Sequence, residues 1–269
     1  MFEQPGVTFI GNATTVIQYG GFTLLTDPNF LRRGDRAHLG YGLTSKRRAD
    51  PAVTIGELPA LDSVILSHLH DDHWDRVTDR ELDQRLPVLT TEAAATTLRS
   101  RGFSAAQALP TWDHHLLVKD DRQVRITALP GRHAPGALQR LLPPVMGTLL
   151  EFGRSGGDPE LRIYISGDTL MFEGIGEIAR RCPGIDLGIV HLGGTKLLGL
   201  VTVTMNGEQG ADWLQTVDCS QVMPVHFDDY TVFRSPLSDF QAEVRRRGLA
   251  DRVRTVDRGA TLPLPVAAG

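Results

Sequence analysis

Five segments that we predict to be β-strands each end beside side chains that can bind a metal ion. These are His68, His70, Asp72 and His73 after 63–67, His133 after 123–129, Asp168 after 161–166, His191 after 186–190 and His226 after 221–225. Ligands in open α/β sheets gather beyond the carboxyl ends of the strands, where loops converge. If the five ends share one edge, imidazoles and carboxylates meet there, a donor set that suits Zn²⁺ and also Fe or Mn.

The spacing of residues in the histidine-rich segment His68-Leu69-His70-Asp71-Asp72-His73 predicts which of its side chains can bind the same metal ion. Side chains alternate along an extended segment, so His68 and His70 point the same way and can hold one metal ion. Asp72 and His73 lie just past the turn and can reach a second ion. The H-x-H-x-D-H pattern is therefore a specific signal for metal chemistry.

The elements that must position these residues are predicted from periodicity and turn signals. Strands rich in β-branched residues are predicted at 7–10, 14–19, 22–26, 63–66, 123–129, 146–152, 161–165, 186–190 and 221–225. Helices are predicted at 91–101, 171–181, 206–217 and 238–247, with Asn206 as an N-cap. No Gly/Ser-rich or Pro-rich linker divides the chain, so we predict one layered α/β (α+β) domain over residues 1–269.

Composition excludes several classes of protein. The chain has 269 residues, 41% of them hydrophobic, and a net charge of −4, which argues against a disordered protein and gives no reason to expect nucleic acid. Cys182 and Cys219 form no C-x-x-C pair, so we expect buried thiols rather than a zinc finger or a disulfide framework. No segment is long and apolar enough for a membrane span, and no signal peptide is recognisable, so we expect a cytoplasmic protein, with a homo-oligomer left open.

The motifs Gly11-Asn12-Ala13-Thr14, Leu25-Thr26-Asp27-Pro28, 67–73, Arg132-His133, Ser166-Gly167-Asp168-Thr169 and Pro224-Val225-His226 span most of the chain. In this combination the sequence resembles the metallo-β-lactamase superfamily, which implies a four-layer αββα sandwich with metals at one edge of the two sheets. It looks most like the branch of ascorbate-phosphate lactonases and N-acylphosphatidylethanolamine phospholipases D. A histidine usually follows the first hairpin glycine in that branch, and Asn12 stands here instead.

The resemblance implies a ligand set and a reaction. His68, His70 and His133 would hold one divalent ion, Asp72, His73 and His226 a second, and Asp168 would bridge both. Zn²⁺ fits best, with Mn²⁺ or Fe as alternatives, and Asp72 and Asp168 would be the catalytic carboxylates. Two divalent ions, two carboxylates and one bridging hydroxide leave about one net positive charge, so we expect a small or amphiphilic anionic ester, lactone or phosphodiester as substrate.

Four further residues are candidates for supporting or substrate-binding roles. Asp27 would orient a ligand imidazole rather than serve as a turn aspartate. His191 ends a strand at the active edge, where it can support a ligand or contact substrate. Lys196 lies in the apolar segment 193–201, which either forms a pocket wall or covers the core. Tyr230 can donate a hydrogen bond to substrate, although an ordinary surface loop explains it equally well.

The stretch 28–59 is the longest irregular segment and is basic over its first part. It can be a solvated loop or a lid that meets an anionic substrate, with Arg32, Arg33, Lys46 and Arg47 as steering charges. The remaining histidines, His38, His114 and His115, are expected to be structural or exposed, the last two because they open a strand and so should lie on the opposite rim.

Two other functions remain open. The same superfamily includes mononuclear iron enzymes that retain the first H-x-H, so a thiol or sulfur dioxygenase is one alternative. A non-catalytic metal-binding module is the other. The completeness of both predicted ligand sets argues against a module that has lost catalysis.

Overall fold

Alternating apolar positions along the strands place side chains on both faces of two β-sheets. The computed structural model describes residues 2, 4–40, 42–140, 142–197 and 201–267. Its strands are β1 (Gly6–Gly11), β2 (Thr14–Tyr19), β3 (Phe22–Thr26), β4 (Arg36–His38), β5 (Thr44–Lys46), β6 (Ser63–Ile65), β7 (Val88–Thr90), β8 (Ala106–Ala108), β9 (His114–Lys119), β10 (Arg122–Pro130), β11 (Met146–Arg154), β12 (Pro159–Ile165), β13 (Leu187–His191), β14 (Lys196–Leu197), β15 (Val201–Thr202), β16 (Gln221–Val225) and β17 (Thr261–Pro263). The helices are α1 (Arg76–Glu81), α2 (Glu92–Ser100), α3 (Glu173–Arg181), α4 (Gly207–Val217) and α5 (Leu237–Arg246).

The two large sheets have the strand orders β17-β1-β2-β3-β6-β7-β8 and β16-β13-β12-β11-β10-β9. Neighbouring residues face opposite sides of each sheet, as the period of two requires. Leu24 and Ile163 lie in the core between the sheets. Leu25 packs in the core under α2, and Tyr164 packs in the core under α3, α4 and α5. Three apolar layers therefore separate four layers of structure, which is the predicted αββα sandwich.

Strand direction brings the predicted metal-binding residues to one edge. β3 and β6 are parallel, and so are β12, β13 and β16. β10 runs the same way as β12, because each is antiparallel to β11. The carboxyl ends of these strands thus lie together.

Every strand and helix that the sequence predicts is present, with bounds shifted by at most two residues. Asn206 caps α4 as expected, since its side chain accepts a hydrogen bond of 2.9 Å from the Gln209 N–H. The short elements β4, β5, β7, β8, β14, β15, β17 and α1 were not predicted. Within the described residues, no helix has the length and apolarity needed to cross a membrane.

The interpretation of 28–59 as one irregular basic loop was wrong. The segment contains the hairpin of β4 and β5 and a short 3-10 helix at Ile55–Glu57. Leu31 and Leu39 pack with Tyr230 in a small core of their own. Arg47 is buried rather than solvated, and its guanidinium contacts Asp229 at 3.5 Å. Burial of an arginine requires such partners, and the partner here lies far away in the sequence.

Candidate metal centre

Three groups of ligand atoms that could hold a metal ion are found among the described residues, and two of them lie side by side at the shared edge. In the first, His68, His70 and His133 offer atoms within 4.8 Å of one another. In the second, Asp72, His73, Asp168 and His226 do the same. The third, Asp27, His73 and His191, shares His73 with the second. The first two groups adjoin, since the ring centroids of His68 and His73 are 4.2 Å apart. The structure thus brings together all seven residues that were predicted as ligands.

The side chains of the first group come from both sheets. Nε2 of His68 lies 3.0 Å from Nδ1 of His70, and the centroid of the His133 ring lies 5.0 Å from that of His68. His68 and His70 follow β6 of one sheet, whereas His133 follows β10 of the other. A cation held here would join the two sheets.

In the second group, carboxylates face imidazole nitrogens. Oδ2 of Asp168 is 3.3 Å from Nε2 of His73, and its Oδ1 is 3.4 Å from Nδ1 of His226. Oδ2 of Asp72 is 3.3 Å from Nε2 of His226. Asp168 also lines the same cleft as His70 and His133 of the first group.

In His133 and His226, a hydrogen bond to a backbone carbonyl determines which ring nitrogen is free to bind a metal ion. Nδ1 of His133 lies 2.8 Å from the carbonyl of Val203, and Nδ1 of His226 lies 3.1 Å from that of Leu192. A carbonyl only accepts, so each Nδ1 carries the proton and donates it. The lone pair of each neutral ring is then on Nε2, where it is available to a metal ion.

Asp27 lies beneath the centre and holds several of its members. Its carboxylate accepts hydrogen bonds from the Ser67 N–H at 2.7 Å and the Ser67 hydroxyl at 3.0 Å. Its Oδ2 lies 3.2 Å from Nδ1 of His73 and 3.4 Å from Nε2 of His191. The Ser67 oxygen is in turn 3.0 Å from Nδ1 of His68. Asp27 and His191 therefore support the ligand residues from behind, and neither lines the cleft.

The electrostatics of the site favour neutral imidazoles in one group and positive charge in the other. Burial and neighbouring imidazoles lower the pKa of His68 well below its usual value and that of His70 to about 4. Burial opposes the charge of His73 as well, yet Asp168, Asp27 and Asp72 raise its pKa well above the usual value. Despite burial, His226 and His73 keep the pKa of Asp168 well below its usual range. Ionised carboxylates and neutral imidazoles are the forms that coordinate metals.

Unpaired polar atoms show that the site fits divalent cations. Among the described residues, Asp72 Oδ1, Asp168 Oδ1 and His73 Nε2 are buried without a hydrogen bond of good geometry. Asp168 Oδ1 nevertheless lies 3.4 Å from His226 Nδ1, and His73 Nε2 lies 3.3 Å from Asp168 Oδ2. Buried polar atoms are normally satisfied, and these three point into one group of ligands. Ions coordinated by imidazole nitrogens and carboxylate oxygens would satisfy them.

The backbone is strained around the same centre. Asn12, Asp27 and His226 have φ angles of 53°, 37° and 61°, in the left-handed region that non-glycine residues seldom adopt. Such conformations persist where surrounding contacts fix them, and they cluster at functional sites.

A small cleft, with a cavity volume of about 30 Å³, opens over the ligand groups. Its polar lining consists of His70, Asp72, His133, Asp168 and Thr195, and its apolar lining of Leu39, Leu43, Leu142 and Val203. The leucines 39 and 43 come from the turn between β4 and β5. The sequence did not single out any of the four apolar residues, because each reaches the cleft through tertiary packing of a distant segment.

The candidate substrate residues Lys196 and Tyr230 do not line this cleft. Lys196 is exposed at the start of β14, and the predicted wall residues 198–200 lie outside the described residues. Tyr230 is fully buried, and its hydroxyl donates a hydrogen bond of 2.9 Å to Asn29. The structure therefore gives Tyr230 a packing role and no access to substrate.

The remaining histidines are not members of the ligand groups. His38 and His114 are exposed and His115 is half-buried. The argument that placed His114 and His115 on the opposite rim was wrong, because β9 is antiparallel to β10 and therefore starts near the end of β10. Both residues lie on β9, an edge strand of the sheet.

Comparison with known proteins agrees with this geometry. A family model described as a β-lactamase superfamily domain matches residues 23–227. The chain belongs to the metallo-β-lactamase superfamily. Within it, the chain is 26% identical over 247 residues to the UPF0173 protein YddR of Bacillus subtilis, covering 88% of this chain and 92% of the relative. It is 24% identical over 246 residues to a UPF0173 metal-dependent hydrolase of Exiguobacterium, covering 90% and 95%.

A solved structure supports the same fold. The isothiocyanate hydrolase from Delia radicum gut bacteria superimposes with a TM-score of 0.82 at 23% identity, covering 96% of this chain and 98% of the other. At this identity the likeness concerns the fold. Together, the family match, these relatives and the ligand groups make this chain a member of the superfamily with a candidate metal centre.

Proposed function

We propose that this superfamily member is a dinuclear hydrolase, with zinc as the best-matching metal, that cleaves a small ester, lactone or phosphodiester. The observation that carries the proposal is the pair of adjoining ligand groups, with Asp168 of the second group lining the same cleft as His70 and His133 of the first. His68, His70 and His133 would hold one ion, and Asp72, His73 and His226 the other. Cytoplasmic location and a single domain over residues 1–269 remain predictions from the sequence.

Two divalent ions held there would supply a nucleophilic hydroxide near neutral pH, because coordination lowers the pKa of water from about 15.7 to about 7. The chain itself contributes orientation. The carbonyls of Val203 and Leu192 fix the tautomers of His133 and His226, and Asp27 fixes the ring of His73. Asp72, whose Oδ1 has no hydrogen-bond partner among the described residues, is placed to accept a proton from the attacking group.

The lining of the cleft suggests that the substrate has a polar reacting group and an apolar remainder, which contact different walls. The reacting group would lie against His70, Asp72, His133 and Asp168. Two bound divalent ions, with the two carboxylates and one hydroxide, would leave about one net positive charge there, which would favour a phosphoryl group or a carbonyl group that carries an anionic substituent. The rest of the substrate would lie against the apolar wall. A lactone or a phosphodiester with a compact hydrocarbon portion matches both parts, in line with the sequence resemblance to lactonases and phospholipases D.

An uncharged electrophile is a second candidate substrate. Of the described residues that line the cleft, none is a lysine or an arginine, and four are aliphatic. This lining suits a neutral molecule such as an isothiocyanate, the substrate named for the structural neighbour. Addition of hydroxide to the central carbon of an isothiocyanate would break the C=N π bond and, with a proton taken up at nitrogen, give a thiocarbamic acid. Cleavage of its C–N bond would then release an amine and carbonyl sulfide.

Metal analysis combined with a substrate panel tests the proposal. We expect two zinc or manganese ions per chain and turnover of at least one lactone, phosphodiester, carboxylic ester or isothiocyanate. Asp168→Ala should lose bound metal and turnover together, whereas Asp158→Ala, which changes an exposed aspartate far from the centre, should keep both. Full activity of a metal-free Asp168→Ala preparation would refute the proposal.

The same panel separates the alternatives. One iron per chain with oxygen uptake on a thiol substrate would instead show a dioxygenase. Two ions without turnover of any class of substrate would indicate a metal-binding module.

A further inference from the structure

The turn between β1 and β2 reaches into the second ligand group through a single side chain. Asn12 is fully buried, and its Nδ2 donates a hydrogen bond of 2.6 Å to the backbone carbonyl of Asp72. Its own backbone carbonyl accepts a hydrogen bond of 2.9 Å from the N–H of His226. Asn12 thus fixes the backbone at two members of the second group, Asp72 and His226.

Asn12 is in turn held by a buried carboxylate. Its backbone N–H donates a hydrogen bond of 2.6 Å to Oδ2 of Asp229. Arg258 donates to the same oxygen at 3.0 Å, and Arg47 lies 3.5 Å from the other oxygen. Arg47 also donates to the carbonyl of Ala49 at 3.0 Å, and Arg258 to that of Asp50 at 3.0 Å. Asp229 therefore anchors the turn to two further segments of the chain.

These contacts are specific to one ligand group. Among the described residues, the hydrogen bonds of Asn12 reach Asp72, His226 and Asp229, and none reaches His68, His70 or His133. His133 is held separately by the Val203 carbonyl. Asn12 and His226 both have left-handed backbone, a conformation that needs external contacts to persist.

We propose that Asn12, fixed by Asp229, is a positioning residue that sets the metal affinity of the group formed by Asp72, His73, Asp168 and His226. It does so independently of the group formed by His68, His70 and His133. This inference rests on the proposed dinuclear centre. Its physical basis is that residues behind a ligand fix its orientation, and their loss typically weakens metal binding by about 10–100-fold.

Asn12→Gly is the main test, because glycine accepts the left-handed backbone and removes only the amide side chain. Titration of the metal-free protein with Co²⁺, followed by visible absorption, measures the two binding steps without any assay of activity. We expect the step assigned to the Asp72 and His226 group to weaken by about 10–100-fold and the other to stay within about threefold. The Co²⁺ spectrum of a singly loaded Asp72→Ala variant assigns the steps.

A second variant separates the hydrogen bond from packing. Asn12→Asp keeps the size and tolerates left-handed backbone, but it places an acceptor against the Asp72 carbonyl. We expect it to weaken the same step at least as strongly as Asn12→Gly. Asn206→Asp is the matched control: it makes the same chemical change at the cap of α4, where aspartate caps equally well, and both steps should be unchanged.

The outcomes are distinct. Unchanged Co²⁺ affinities in Asn12→Gly would overturn the inference, and so would equal weakening of both steps. If the wild-type protein binds one ion only, both this inference and the dinuclear proposal fail. If it binds two and Asn12→Gly binds them as tightly, the dinuclear proposal stands and the role of Asn12 falls.

Discussion

At the residue scale, some side chains near the centre hold its other members in place without lining the cleft themselves. Asp27 illustrates this, because it contacts Ser67, His73 and His191 without reaching the cleft. Asp27 is buried, but His73 and His191 keep its pKa at about 2. The carboxylate is therefore ionised and can accept hydrogen bonds from both rings. The geometry supports the prediction that Asp27 orients a ligand imidazole, which came from the position of its Thr-Asp-Pro motif in related proteins.

Replacing Asp27 therefore tests orientation apart from coordination. Asp27→Asn keeps the shape but offers an amide in place of one accepting oxygen, so we expect metal affinity and kcat to fall by about 10–100-fold with KM little changed. Equilibrium dialysis and steady-state kinetics measure the two effects. Asp62→Asn, at a carboxylate that bonds the Thr23 N–H and Lys119, is the control and should behave as wild type. Wild-type metal affinity in Asp27→Asn would contradict the orienting role.

The two cysteines differ more than the sequence indicated, since Cys219 is buried and Cys182 is half-buried. Burial raises the pKa of the Cys219 thiol to about 11, so at pH 8 only about one molecule in a thousand is thiolate, the reactive form. We expect one thiol to react readily with a disulfide reagent at pH 8 in the native protein and two after unfolding. Cys182→Ser should abolish the native reaction. Fast labelling of the Cys182→Ser protein would show that Cys219 is accessible.

At the scale of elements, the hairpin of β4 and β5 forms one wall of the cleft. It is clamped to the histidine-rich segment, since the His38 N–H donates to Asp71 at 2.9 Å and the Asp71 N–H donates to the His38 carbonyl at 3.3 Å. Its turn presents Leu39 and Leu43 to the cleft, whereas Arg32 and Lys46 are exposed elsewhere. The hairpin therefore contributes apolar surface rather than the steering charges expected from the sequence.

Shortening a leucine of this wall should affect substrate binding more than chemistry. For Leu43→Ala we expect KM to rise by about 5–20-fold for substrates with a hydrocarbon tail, with kcat nearly unchanged, because only apolar contact is lost. Compact substrates without a tail should be little affected. Leu116→Ala, at an exposed position on β9, is the control. Equal effects on both classes of substrate would contradict the assignment of the wall.

How far the sequence predicts these elements depends on how local the determining contacts are. The long strands and the ends that carry His68, Asp168 and His226 follow from alternation and turn residues within each segment. The short strands β7 and β8 have three residues each and gain their place only by pairing within the sheet. Burial of Arg47 and the contact of Leu142 with the cleft depend on partners far along the chain, which no local pattern encodes.

At the scale of the whole molecule, both ligand groups join the two sheets. The first sheet supplies His68 and His70 to one group and Asp72 and His73 to the other. The second sheet supplies His133 to the first group, and Asp168 and His226 to the second. The core between the sheets is also shared, with Phe9 and Phe152 among its members. Bound ions should therefore stabilise the sandwich as one unit.

Metal removal is the measurement that checks this coupling. Each ion at 100 times its dissociation constant adds about 2.7 kcal/mol to the free energy of unfolding, so a chelator should lower Tm markedly. Trp74 packs under the first sheet and Trp213 under the second. Variants that retain only one of these two, with the third tryptophan, Trp112, replaced in both, report on each half. If residues 1–269 form one domain, both reporters and far-UV circular dichroism should give the same Tm, with and without chelator. A chelator that lowers the Tm seen by one tryptophan and not by the other would show that the two sheets unfold separately.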